Sequence, residues 1–169
     1  MADVALGHRE RGISLIEVMV AVLVFSIGML GLALLQLKGA QFTRESGSRT
    51  AAIGLARSLA ESMRANPDGA LPPGNGTSAY LYDGTTTYTA SDCASTTAST
   101  PADVAKRDLA CWQAALIRTL PPPTTSGGKM ATVTKDPNLG TLVITVSWAG
   151  VAGSSSADPS QSYSLSYLQ

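Results

Sequence analysis

The sequence predicts an α+β fold, in which one long N-terminal helix packs on a small antiparallel β-sheet. Residues 13–37 would be apolar on every face of a helix. No proline occurs before Pro67, so the same helix can continue to about residue 65. Segments near the C-terminus instead alternate apolar and polar residues, as half-buried strands do. The length of 169 residues suits one globular domain with a modest core.

The apolar run reads ISLIEVMVAVLVFSIGMLGLALLQL, and Glu17 is its only charged residue. As a helix it would be about 37 Å long at ~1.5 Å per residue, enough to cross a hydrocarbon core of about 30 Å. It therefore spans a membrane or lies buried among other helices. A secretory signal would be cleaved after such a run, but residues 37–40 offer no clean small-x-small site. Hydropathy alone thus favours a retained signal anchor.

Glu17 has two interpretations. In the first turn of a helix, its carboxylate is stabilised by the helix dipole and can reach the lipid headgroups. Alternatively, it pairs with a cation. Cleavage after Gly12 would create one, the α-amino group of Ile13, on the same chain or on a neighbour. Physical chemistry leaves both interpretations open.

The rest of the chain supplies the second half of the helix and a mixed head. Residues 38–66 carry apolar side chains at helical spacing, which predicts an amphipathic continuation. A hairpin is expected over 79–88 with its turn at Asp83 and Gly84, and a solvated Ser/Thr-rich stretch follows to Thr100. A helix is expected over 103–120, capped by Asp103. Strands are expected over 131–135, 141–148 and 162–168.

Cys93 and Cys111 both lie outside the apolar run. In an oxidising compartment they would form a disulfide, which would contribute on the order of 3 kcal/mol for a loop of this size. The alternative is two free buried thiols in a cytoplasmic head. Two cysteines without a histidine do not make a conventional zinc site.

The segment RGISLIEVMVAVLVFSIGMLGLALLQ resembles the N-terminus of type IV prepilins, and especially of PilV-type minor pilins. The matching features are a short basic leader, Gly12, and the S-L-I-E run that ends in Glu17. The stretch I-G-M-L-G-L-A and the later segment DLACWQAALIRTLPPP also look PilV-like. One departure is Ile13, because most members begin the mature chain with phenylalanine.

The resemblance implies a type IV pilin fold with four parts. These are a prepilin leader (1–12), a transmembrane or filament-core half-helix (13–37), an amphipathic half-helix (38–66) and a periplasmic head (67–169). A prepilin peptidase would cleave between Gly12 and Ile13 and methylate Ile13. Glu17 would then be an assembly contact that pairs with the N-terminus of a neighbouring subunit.

The implied function is that of a structural minor pilin that primes filament assembly at or near the tip. The implied partners are the prepilin peptidase, other minor pilins, the major pilin, the inner-membrane assembly platform and a tip adhesin. The protein would sit in the inner membrane with a periplasmic head, then in the filament at the cell surface. The distribution of positive charge does not predict this orientation. Positive residues normally mark the cytoplasmic side of a span, and Arg9 and Arg11 of the leader are outnumbered by Lys38, Arg44 and Arg49 after it. The leader motif and the cysteines outweigh that count.

Composition excludes several other functions. The formal net charge is zero, so a basic nucleic-acid-binding surface is not expected. The lone histidine, His8, lies in the leader, so the mature chain would lack His-dependent nucleophiles and metal ligands. We expect no enzymatic activity, cofactor or metal.

Two alternatives remain. One is a minor pseudopilin of a type II secretion or DNA-uptake system, which would share the leader and the long helix. An acidic calcium-binding loop in the head would favour this alternative, and the sequence shows none. A single-span membrane protein with a periplasmic binding module would keep residues 1–12. The tyrosines near the strands, Tyr80, Tyr82, Tyr163 and Tyr167, fit ordinary packing or a subunit contact.

Overall fold

The computed structural model describes residues 12, 14–72, 76–124, 127–150 and 160–168. The leader 1–11 and Ile13 lie outside the described residues. The chain divides into two compact units, Met1–Phe42 and Thr43–Gln169. The described elements are α1 (Leu15–Ala65), α2 (Pro67–Ala70), α3 (Ala90–Cys93), α4 (Pro101–Thr119), β1 (Ala131–Lys135), β2 (Leu142–Ala149) and β3 (Ser160–Tyr167).

The helix α1 confirms the expected continuous N-terminal helix. Within the second unit its face is apolar at every third or fourth position, and the side chains on that face are almost completely buried. They are Ala52, Ala56, Leu59, Ala60 and Met63. The small alanines allow other elements to approach the helix closely, while Leu59 and Met63 fill the core.

The three strands form one antiparallel sheet in the order β1-β2-β3. Residues Leu142, Ile144, Val146 and Trp148 of β2 are buried, and the residues between them are half-exposed, as the alternation predicts. The turn between β1 and β2 is closed by Asp136, whose backbone N–H donates to the carbonyl oxygen of Thr141 at 2.8 Å. The sheet, α4 and the buried face of α1 enclose a single core. This α+β arrangement confirms the predicted fold class.

The prediction of a hairpin over 79–88 is wrong. The carboxylate of Asp83 accepts hydrogen bonds from the backbone N–H groups of Thr85 at 2.9 Å and Thr86 at 3.3 Å. Those donors are therefore used locally, as in an Asx turn, and do not pair across a hairpin. Instead, Tyr82 forms an antiparallel bridge with Val133 of β1. Gly84 adopts φ +81°, and a Cβ there would lie 2.6 Å from the carbonyl oxygen of Ala131.

Two further details differ from the sequence prediction. The cap of α4 is Thr100, not Asp103: the Thr100 hydroxyl accepts from the Asp103 N–H, and the Asp103 carboxylate accepts from the Thr100 N–H. This reciprocal pair is a capping box. The Ser/Thr-rich stretch also contains a short helix, α3, whose Thr89 and Asp92 form a second capping box.

Candidate processing and assembly segment

In the first unit, the described part of α1 is an apolar helix with exposed side chains. Among the described residues 14–40, every side chain is exposed, including large hydrophobic ones such as Leu15 at 77% and Leu35 at 70%. By length and composition, α1 is the one described helix that could cross a membrane. Apolar surface of this extent is unfavourable in water, and a lipid bilayer or neighbouring helices would cover it. The buried residues of α1 lie within the second unit.

Glu17 is the only charged residue in this surface up to Leu37. It is exposed and lies in the first turn of α1, where its backbone N–H donates to the carbonyl oxygen of Ser14 at 3.0 Å. Among the described residues, no side chain forms an ion pair with it. The next charged residue along the helix is Lys38, about 30 Å away at ~1.5 Å per residue. A counter-ion for Glu17 must therefore come from its own N-terminus or from another molecule.

Gly12 is exposed, and a Cβ added to it would have no heavy atom within 4 Å. The packing of the described residues does not require glycine at this position. Ile13, the other half of the expected cleavage and methylation site, lies outside the described residues.

Gly28 and Gly31, on the apolar part of α1, are likewise not required by packing among the described residues. A Cβ at either position would enter open space. Each glycine weakens the helix by about 1 kcal/mol relative to alanine. Small residues on apolar helices let neighbouring helices approach closely. Both glycines therefore fit a helix that packs against others.

The second unit is held by a disulfide and by its neighbouring polar contacts. Cys93 and Cys111 form the bridge, with their Cα atoms 4.7 Å apart, so the expected bond is present and joins α3 to α4. Beside it, Lys106 Nζ lies 2.9 Å from Asp92 Oδ1. This lysine and the Thr89 hydrogen bonds hold the pKa of Asp92 well below its usual range.

A buried polar network joins the end of α1 to α4. The hydroxyl of Tyr80 donates to Asp108 Oδ2 at 2.7 Å and accepts from Asn66 Nδ2 at 3.2 Å. The Asn66 amide also donates to the carbonyl oxygen of Pro101 at 2.7 Å. Burial, followed by the hydrogen bond to Asp108, raises the pKa of Tyr80 far above its ordinary value. Tyr80 is therefore a packed structural residue, not an exposed contact residue.

The second unit contains a cavity of about 500 Å³. It is lined by residues of α1, the end of α4 and the end of β2, including Arg44, Ser48, Thr119, Pro121 and Ala149. It brings together no His, Cys or paired carboxylates. Within the described ranges, no group of three or more His, Cys, Asp or Glu residues could hold a metal ion. Among the described residues, the lining of this cavity therefore assembles no metal-binding or nucleophile–base group.

The described residues thus combine a helix that is exposed and apolar in its first part with a disulfide-linked α+β unit that contains its last part. Comparison with protein families finds two matches. The model of the prokaryotic N-terminal methylation motif matches residues 7–33, and that of the type IV pilin Tt1218 matches residues 34–110. The two matches support a type IV pilin with a prepilin methylation motif. Neither the curated proteins nor the solved structures gave a match.

Of the predicted site residues, the structure joins Cys93 and Cys111 in a disulfide. Gly12 precedes α1, and Glu17 lies in its first turn. The sequence reasoning missed the network of Asn66, Tyr80 and Asp108. These residues are far apart in the chain, so no local pattern could have revealed it. The Thr100 cap was visible in the T-x-x-D spacing of the sequence.

Proposed function

We propose that this chain is a minor pilin of the PilV type, a structural subunit of a type IV pilus. A prepilin peptidase cleaves it between Gly12 and Ile13 and methylates Ile13. The apolar half of α1 anchors the subunit in the inner membrane and then packs against other helices in the filament. The observation that carries this proposal is Glu17, the only charged residue of the apolar run 13–37, placed one helical turn after the new N-terminus.

A carboxylate in a hydrocarbon environment costs roughly 2.5–3.5 kcal/mol at the centre of a span. The free α-amino group of Ile13, carried by a neighbouring subunit, would compensate that charge as the helix enters the filament. Glu17 would thereby set the axial position of one subunit against the next. Without cleavage, the leader would occupy this place and the pairing could not form.

The subunit acts with partners that the family implies. These are other minor pilins, the major pilin, the inner-membrane assembly platform and a tip adhesin, with a role in priming assembly at or near the tip. The head faces the periplasm before assembly. The Cys93–Cys111 disulfide supports that orientation, because such bonds persist in oxidising compartments.

The test is incorporation into sheared filaments. Glu17→Gln keeps the size of the side chain but removes its charge, and Glu45→Gln makes the same change outside the apolar run of α1. Losing one partner of a buried ion pair costs roughly 3–5 kcal/mol, so Glu17→Gln should lower the amount in filaments at least about tenfold. Its amount in membranes should be unchanged, and Glu45→Gln should behave as the unsubstituted protein.

Equal incorporation of Glu17→Gln and Glu45→Gln would contradict the pairing role. Recovery of the unsubstituted protein with a secretion or DNA-uptake apparatus, and not with pili, would identify a pseudopilin. A chain that keeps residues 1–12 in the presence of the peptidase would instead be an anchored periplasmic binding module.

A further inference from the structure

Residues 89–99, here called the flap, form a surface segment of the head that includes α3. None of the four residues of α3 is buried. Among the described residues, neither the buried core cluster nor the half-buried side chains packed against it include any member of the flap. Apolar burial, the main force that holds a segment to a domain, therefore contributes little to the position of the flap.

Both ends of the flap are fixed to the head. Directly before it, the backbone N–H of Tyr88 donates to Gln113 Oε1 of α4 at 2.8 Å. Directly after it, Thr100 and Asp103 form the capping box that begins α4, where the Ser99 hydroxyl lies 3.5 Å from the Asp103 carboxylate. The flap can therefore move between these two points without disturbing the elements on either side.

Most polar contacts of the flap are internal. The backbone N–H groups of Asp92 and Cys93 donate to the carbonyl oxygen of Thr89, at 3.1 and 3.5 Å, and that of Ala94 donates to Ala90 at 3.0 Å. The capping box of Thr89 and Asp92 is also contained within the flap. These bonds stabilise the short helix itself but do not attach it to α4.

Two links join α3 to α4. The first is the ion pair in which Lys106 Nζ lies 2.9 Å from Asp92 Oδ1, but the lysine side chain is 60% exposed, and ion pairs with such exposure contribute little. The second is the covalent bond between Cys93 and Cys111. The contact of 3.3 Å between the Cys111 sulfur and the Cys93 carbonyl oxygen belongs to the same bridge. The disulfide is therefore the strong link.

The flap covers a small patch of α4. Ala110 is only 2% exposed, yet it does not belong to the core cluster. Lys106 precedes it by one helical turn and Cys111 follows it, and both of these residues contact α3. This placement indicates that α3 is the element that buries Ala110.

We propose that the Cys93–Cys111 disulfide is the latch of a redox-sensitive flap, which opens on reduction while the core of the head stays folded. Without the bridge, the conformational entropy of eleven residues opposes one exposed ion pair. Proteins open locally where buried apolar contacts are few. Opening uncovers the surface of α4 around Ala110. The device depends on the head alone and is independent of the proposed pilin function.

The opening reaction is thiol–disulfide exchange with a dithiol. A thiolate of the dithiol attacks one sulfur of the bridge, so that a mixed disulfide forms and the other cysteine leaves as a thiolate. The second thiol of the reagent then closes its own disulfide and releases the remaining cysteine. Two electrons and two protons thereby pass to Cys93 and Cys111. Both cysteines are only half-buried, which allows a small dithiol to reach them.

Hydrogen exchange of the full-length chain in detergent micelles, measured by mass spectrometry with and without dithiothreitol, tests the proposal. Reduction should accelerate exchange of the amides of Asp92, Cys93 and Ala94 at least about tenfold, because their hydrogen bonds then open locally. Exchange in β2, residues 142–149, should not change. The variant with Cys93→Ser and Cys111→Ser should exchange rapidly in the flap with and without the reductant.

Lys106→Gln is the matched control, since it removes the ion pair and leaves the disulfide in place. Without reductant, this variant should retain the slow exchange of the flap. Three results would overturn the proposal. They are an unchanged flap after reduction, an equal acceleration in the flap and in β2, and a flap that opens in oxidised Lys106→Gln as far as in the reduced protein.

Discussion

The indole Nε1 of Trp112 donates a hydrogen bond of 2.9 Å to the backbone carbonyl oxygen of Leu55. The tryptophan lies on α4 and the acceptor lies on α1, within the same unit. Trp112 is only 4% exposed, and its ring meets that of Tyr82 edge-on, with centroids 6.4 Å apart. One side chain thus joins the two main helices of the head through a hydrogen bond, apolar burial and an aromatic contact.

The protein offers a matched comparison for this hydrogen bond. Trp148 is equally buried, but its Nε1 has no hydrogen-bond partner among the described residues. Trp112→Phe should therefore lower the free energy of unfolding more than Trp148→Phe, by about 1 kcal/mol, since only the first change removes a hydrogen bond. Urea unfolding, followed by the fluorescence of the remaining tryptophan, measures the difference. An equal loss in both variants would show that the bond contributes nothing beyond packing.

The disulfide should stabilise the head. Cys93→Ser with Cys111→Ser should lower the free energy of unfolding by about 3 kcal/mol, because the bridge restricts the unfolded chain. The unsubstituted protein under reducing conditions should unfold at the same urea concentration as this double variant. Unchanged unfolding after both treatments would show that α3 and α4 are held together by their other contacts alone.

The Tyr80 network predicts a loss of stability at high pH. The pKa of Tyr80 is raised in the folded state, mainly by burial, so folding favours the protonated hydroxyl. Its contribution is fully present below the ordinary pKa of about 10 and declines as pH rises through the raised folded value. Tyr80→Phe should lower the free energy of unfolding by about 1–2 kcal/mol at pH 7 and reduce its dependence on pH above 10. Tyr163→Phe, at a half-buried site on β3, is the control. An unaltered alkaline slope in Tyr80→Phe would refute this role.

The glycines of the apolar helix should affect association and not folding. Gly31→Ala adds a methyl group where nothing lies within 4 Å, so the isolated chain tolerates it, and helix propensity improves by about 1 kcal/mol. If other helices pack closely there, the variant should nonetheless be depleted from sheared filaments. Gly54→Ala, an equally open glycine in the second unit, should be incorporated normally. Normal incorporation of both variants would exclude close helix packing at Gly31.

Long regular patterns made much of this fold predictable from the sequence. The proline-free apolar run predicted α1, and strict alternation predicted β2 and β3, because burial on one face imposes one period over many residues. Prediction failed where single side chains compete with the backbone. Asp83 takes the N–H groups that a hairpin would need, and Thr89 with Asp92 builds a helix in a stretch that composition marks as coil.

The candidate site residues also differ in how far the sequence could predict them. Gly12 and Glu17 were predicted from their spacing at the start of the apolar run, and the structure adds that no described side chain forms an ion pair with Glu17. The contacts of Asn66 and Trp112 depend on tertiary packing between distant segments, which no local spacing encodes.

The most direct test of the proposed function is the N-terminus of the protein extracted from membranes. Intact mass and N-terminal sequence should be determined with an active and with an inactive prepilin peptidase. We expect a chain that begins at methylated Ile13 only when the peptidase is active. A chain that still begins at Met1 or Ala2 in the presence of the active enzyme would contradict the proposed function.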